Sequence, residues 1–159
     1  MIESKIKANL QLKKIIAGLK SKGGKVVFTN GCFDILHYGH VKYLEEAKKK
    51  GDILVVAINS DSSVKKIKGS RRPIIAAKER IRLVSALESV DYVTTFSEST
   101  PLKVIKLVKP DVLVKGGDWK TSNIVGSEFV KSYKGRIITI PFVSGLSSSK
   151  LIKKIAKKF

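Results

Sequence analysis

The run Ile53-Leu54-Val55-Val56-Ala57-Ile58 constrains the fold more than any other stretch of this chain. It is apolar at every position and is bounded by Asp52 on one side and Asn59-Ser60-Asp61 on the other. A strand with one wet face alternates apolar and polar residues; a strand apolar throughout is covered on both faces, as in the centre of a parallel sheet. Further β-branched runs at Lys25–Thr29, Tyr92–Phe96, Val112–Val114 and Arg136–Ile140 read as strands. Helical periodicity falls between them. Tyr38–Lys50 sets Val41, Leu44 and Ala47 on one face and stops at Gly51, and Lys78–Leu87 is a second helix. Pro101–Val108 carries proline in its first turn, and Ser149–Lys158 turns Ile152, Ile155 and Phe159 inward. A helix over Ile6–Leu19, with Leu12, Ile15, Ile16 and Leu19 at helical spacing, precedes the first strand and ends at Gly23-Gly24. The basic stretch VKKIKGSRRP reads as a loop around Gly69 and Pro73.

Alternating strands and helices predict an α/β fold: a Rossmann-like, doubly wound parallel sheet. The 159 residues suit a single domain, with 1–24 a helical extension ahead of it. In such sheets ligands bind beyond the carboxyl ends of the strands, where the strand order reverses. Residues that follow strands are therefore the ones to inspect.

The first strand leads into Thr29-Asn30-Gly31-Cys32-Phe33-Asp34-Ile35-Leu36-His37-Tyr38-Gly39-His40. Both histidines of the chain lie here, three residues apart, at the start of a helix. A helix N-terminus offers free N–H groups and partial positive charge, which favour phosphate. Two imidazoles placed there add hydrogen-bond donors for phosphate oxygens, and Gly39 lets a ligand approach the backbone. Lys115-Gly116-Gly117-Asp118-Trp119 follows a later strand, and its paired glycines leave room for a flat base or a phosphate. Taken alone, the same glycines also suit a tight turn. Lys66, Lys68, Arg71 and Arg72 make the basic stretch after the second strand, which reads as a phosphate clamp or as a solvated loop. Ser147-Ser148-Ser149 opens the last helix, where serine is a good N-cap. Cys32 is the single cysteine, so it forms no internal disulfide; it reads as a small packed residue rather than a nucleophile.

The segment GCFDILHYGH resembles the signature of the cytidylyltransferase-like nucleotidyltransferases, whose HxGH motif binds the triphosphate. That resemblance implies that His37 and His40 contact the nucleotide phosphates and stabilise charge in the transition state. It implies that Asn30, Gly31, Cys32, Phe33, Asp34 and Gly39 line the nucleotide pocket. The stretches VVAINSD, KGSRRP, SALESVDYV, STPLKVIKLVKPDVLVKGGDW, IVGSEFV and SSSKLIKKI, in order, are similar to the bacterial heptose-1-phosphate adenylyltransferases, over roughly Lys25 to Ile155. Those enzymes join AMP from ATP to a heptose 1-phosphate and release pyrophosphate. In many bacteria the transferase is fused to a sugar kinase, and this chain looks like the transferase without it. The likeness further implies nucleotide-binding roles for Lys115, Gly117, Asp118, Ser147, Ser148 and Ser149, and a catalytic lysine in the basic stretch, with Lys66 and Lys68 as candidates. Arg72 is expected on the substrate phosphate. Arg80 matches an arginine shared by the family and is expected to bind the nucleotide, with an ordinary helix-surface ion pair as the other reading. This chain has serines where the family commonly has threonines, which keeps the hydroxyls. Mg²⁺ is expected to arrive with ATP and to be carried mainly by phosphate oxygens rather than by protein ligands.

The formal charge of +19 implies attraction to polyanions without choosing among them. The expected partners are ATP and a sugar 1-phosphate. Nucleic acid is not expected: no recognised nucleic-acid motif is present, and the few aromatics are not interleaved with the basic runs. Membrane attachment is not expected either, because the apolar face of LIKKIAKKF is short and no apolar run approaches the roughly 20 residues of a bilayer span. Charges scattered through the N-terminus do not read as a signal peptide, so a cytoplasmic protein is expected. A homodimer is expected from the family habit, with Val125 and Phe129 as the local hint. Within the same class, a cytidylyltransferase acting on glycerol phosphate or another small phosphorylated alcohol is the alternative. A basic nucleic-acid-binding protein is the second alternative.

Overall fold

In the computed structural model, which describes residues 1–117 and 119–158, every strand of the sheet runs parallel to its neighbours. The strands are β1 (Val26–Gly31), β2 (Ile53–Asn59), β3 (Tyr92–Phe96), β4 (Val112–Gly116) and β5 (Arg136–Ile140), in the order β3-β2-β1-β4-β5. Chain order runs outward from β1 to β3 on one side, then restarts at β4 on the other. The reversal therefore lies between β1 and β4, where such folds open a crevice for ligands.

Side chains alternate across the pleat. Val26, Phe28, Val55, Ala57 and Leu113 enter one core, while Val27, Leu54, Val56, Ile58 and Val114 enter the other. Each face is covered by helices, as the apolar β2 run requires. The second core is shared with α2 (Tyr38–Lys48) and α4 (Ala77–Ser85), through Tyr43, Leu44, Ala47 and Val84. The first is shared with α1 (Asn9–Ser21), α5 (Leu102–Val108) and α6 (Ser127–Ser132), through Leu12, Ile16, Val104, Ile105, Val108 and Val130. At the amino end of the sheet, aspartates catch the strand starts. Asp111 accepts from the Val26 N–H, Asp52 from Lys25 and Asp91 from Leu54.

Several expectations need correction. The helical extension over residues 1–24 packs against the sheet: Leu12 and Ile16 are core residues, and Ile6 forms a bridge with Val93 beside edge strand β3. The helix accordingly begins at Asn9 rather than Ile6. The basic stretch opens as a helix, α3 (Asp61–Lys68), not as a loop. Ser60 caps it by accepting from the Ser63 N–H at 3.2 Å, Val64 buries its apolar side, and Gly69 ends it at φ 94°. The number of lysines concealed a short helix with a good cap. Strand β4 runs on to Gly116, so Lys115 and Gly116 are sheet residues paired with Thr139 and Ile140. The last helix, α7 (Ser148–Ala156), has no buried residue, and Ile155 is 55% exposed rather than inward. Phe159 lies outside the described residues.

Candidate active site

A cavity of about 640 Å³ opens at the carboxyl ends of the strands, over the β1/β4 reversal. Its walls come from the turns after β1, β2, β3, β4 and β5 and from the N-termini of α2 and α7.

The turn after β1 is built around one strained residue. Phe33 sits at φ 47°, a left-handed conformation that costs a non-glycine residue energy. The strain folds its ring back onto Gly31, where an added Cβ would meet Phe33 Cε2 at 2.9 Å. The ring then stands edge-on to His40, with centroids 5.1 Å apart. His37 and His40 are stacked at 3.9 Å with 22° between their planes. Gly39 is needed for this, because a Cβ there would come within 3.0 Å of the His37 ring. The glycine of the motif thus makes room for an imidazole as well as for a ligand.

Among the described residues, neither His37 Nδ1 nor His40 Nδ1 has a hydrogen-bond partner, although both atoms are buried. Burial and the neighbouring His37 push the His40 pKa down to about 4, and burial lowers that of His37. A folded-state pKa below the ordinary value means the unfolded chain takes up the proton first. The stability tied to neutral His40 is therefore complete above about pH 6.5 and is lost as pH falls toward 4. Urea midpoints measured from pH 7 to 4 should fall more steeply for the wild type than for His40→Gln. Parallel profiles would show that His40 is not held neutral by its surroundings.

Helix α7 docks its N-terminus beside this turn. Ser147 caps it by accepting from the Lys150 N–H at 3.1 Å, and Ser148 Oγ donates to the Ile35 carbonyl at 3.2 Å. Ser149 joins them in lining the cavity. Two helix N-termini, α2 and α7, therefore meet at one wall, where their dipoles add.

The cations divide into three kinds. Lys68 and Arg72 line the cavity, while Lys66 is exposed on α3 and does not. Arg72 Nε donates to Asp34 at 2.6 Å, and the other oxygen of that buried carboxylate accepts from the Ile74 and Ile75 N–H groups. Lys115 donates to Asn30 Oδ1 at 3.1 Å across the β1/β4 reversal, and burial lowers its pKa. Arg80 is fully buried and stands outside the cavity lining. It donates to the carbonyls of Ile75, Cys32 and Asn59 and pairs with Asp61 at 2.8 Å. That geometry replaces the helix-surface ion pair with a buried brace between α3, α4 and the turn after β1. Cys32 is half-buried in the cavity wall, and burial raises its thiol pKa. Gly117 lies at φ 97° behind the wall and is not itself among the lining residues, whereas Asp118 lies outside the described residues.

Sequence reasoning missed several lining residues: Ser99, Thr100 and Pro101 after β3, and Phe142, Val143 and Leu146 after β5. The available signal was position alone, since every segment that follows a strand of a parallel sheet opens on the same side.

The chain matches the cytidylyltransferase-like family over residues 28–154 and belongs to it. Its fold agrees with that family: a parallel sheet whose strand order reverses between β1 and β4. Among individual relatives, it is 50% identical over 157 residues to the bifunctional protein HldE of Trichlorobacter lovleyi, covering 99% of this chain and 32% of that protein. It is 52% identical, with the same coverage, to bifunctional protein HldE of Citrifermentans bemidjiense. The chain thus spans about a third of the length of these relatives. The crystal structure of a lipopolysaccharide core biosynthesis protein from Thermoplasma volcanium is 31% identical with a TM-score of 0.62, covering 76% of this chain and 98% of that one. A pantoate-beta-alanine ligase from Francisella tularensis shares the fold at 20% identity and a TM-score of 0.63, over 96% of this chain and 76% of that one. Among the described residues, no helix is long and apolar enough to cross a membrane.

Proposed function

We propose that this protein transfers AMP from ATP to a heptose 1-phosphate, giving ADP-heptose and pyrophosphate for lipopolysaccharide or surface-sugar biosynthesis. The observation that carries the chemistry is the stacked pair His37 and His40, with partnerless buried nitrogens at the N-terminus of α2 and the N-terminus of α7 beside it. The sugar is read from the heptose-adenylyltransferase-like stretches and from the identity to the HldE proteins.

An oxygen of the sugar phosphate attacks the α-phosphorus in line; the bond to the β-phosphate oxygen breaks and pyrophosphate leaves. The attacking phosphate is already an anion at neutral pH, so the protein supplies position and charge neutralisation rather than a strong base. His37 and His40 donate to the α- and β-phosphate oxygens. Ser149 and the first N–H groups of α7 hold the rest of the triphosphate. Lys68, together with Arg72 anchored by Asp34, draws in the acceptor phosphate. Mg²⁺ bound with ATP would supply charge neutralisation at the phosphates. Asp34 is committed to Arg72 and two backbone N–H groups, which fits a metal held chiefly by phosphates. We place the reaction in the cytoplasm and the protein as a homodimer. Phe129 is not free to serve that assembly, because it packs on the core and edge-on to Tyr133.

A pyrophosphate-release assay over a panel of sugar 1-phosphates and all four nucleoside triphosphates tests the assignment. ATP with a heptose 1-phosphate should be fastest. Release that follows CTP and a polyol phosphate would replace the heptose reading.

A further inference from the structure

The Gly116–Gly117 pair is not open in this structure: an aromatic ring rests on it. A Cβ on Gly116 would meet Phe142 Cε1 at 2.6 Å, and one on Gly117 would meet Phe142 Cε2 at 2.7 Å. The ring straddles both residues, and only a glycine pair permits that approach. Phe142 is nonetheless 69% exposed, on a residue that lines the cavity. An exposed aromatic side chain held in place by backbone is a stacking surface looking for a flat partner.

Its place in the chain narrows what that partner is. Phe142 follows β5, and five residues later Ser147 caps α7, whose N-terminus faces the same cavity. One short turn thus carries a flat apolar surface at one end and, at the other, a helix N-terminus of the kind that favours phosphate. A nucleotide has the same two parts. Trp119 is the other exposed aromatic on the cavity, at 52%, but it precedes no described helix N-terminus that lines the cavity.

We propose that Phe142, seated on the Gly116–Gly117 backbone, is the platform on which the base of the nucleotide stacks. The assignment rests on the nucleotidyltransferase reading and names the residue that holds the base within it. The glycine pair then acts at one remove: it receives the ring, and the ring receives the base. Gly116 and Gly117 are positioning residues for Phe142.

Binding of ATP and of inorganic tripolyphosphate, measured by calorimetry on the whole chain, separates base from phosphate. Removing an aromatic stacking partner typically weakens binding of a base by about tenfold to a hundredfold. Phe142→Ala should lose about that much affinity for ATP while its affinity for tripolyphosphate stays within about twofold of wild type. Phe142→Trp should restore ATP binding. Gly116→Ala, which displaces the ring without removing it, should weaken ATP binding in the same sense. Trp119→Ala should leave ATP binding unchanged. The proposal is overturned if Phe142→Ala binds ATP as wild type does, if it loses ATP and tripolyphosphate equally, or if Trp119→Ala alone loses ATP. Wild-type protein that binds neither ligand would instead remove the nucleotidyltransferase reading on which the proposal stands.

Discussion

His37→Ala and His40→Ala are each expected to lower kcat by about two orders of magnitude or more, the usual cost of removing one donor aimed at developing charge. As in-line transfer proceeds, charge grows on the α-phosphate and on the departing pyrophosphate. The stacked imidazoles stand at the N-terminus of α2 and are held there by Phe33. Because the interaction strengthens in the transition state, kcat should fall with little change in the KM for ATP. His→Gln variants, which keep a donor, should recover part of the loss. The fold should persist, since neither ring belongs to the two apolar cores, and circular dichroism checks this. Retention of full activity by both alanine variants would remove the histidines from the mechanism.

The second large effect is selectivity. In direct competition, ATP with heptose 1-phosphate should outpace CTP with glycerol 3-phosphate by about three powers of ten or more, judged by kcat/KM. A pocket whose polar groups are paired by one base leaves them buried and unpaired with another. A purine also offers a larger flat surface to an aromatic platform than a pyrimidine does. A preference for CTP and a polyol phosphate would overturn the heptose assignment. The histidine site would still stand.

The strands and five of the seven α-helices among the described residues were legible because their signals are local, whereas α3 and α6 were not read from the sequence. The unbroken apolar run of β2 demanded cover on both faces, and glycines or prolines marked most helix ends. The candidate site was legible for the same reason: strand, turn, histidine pair and helix start are contiguous from Val26 to His40. What the sequence hid depends on distant contacts. Arg80 is one turn into a helix and looks like a surface arginine; its burial arises only when α3 and the turn after β1 close around its guanidinium. Lys66 and Lys68 are two residues apart on α3, and helix geometry turns one into the cavity and the other away from it. Phe142 became a site residue through the fold of β5 against β4, which no local pattern announces.

The central claim is that bond breaking occurs at the α-phosphorus of the nucleotide. Incubating the protein with Mg²⁺, heptose 1-phosphate and either α-labelled or γ-labelled ATP, and separating the products, measures this directly. The α-label is expected to move into the nucleoside-diphosphate sugar while the γ-label appears in pyrophosphate. Transfer of the γ-label to the sugar, with ADP as the second product, would contradict it.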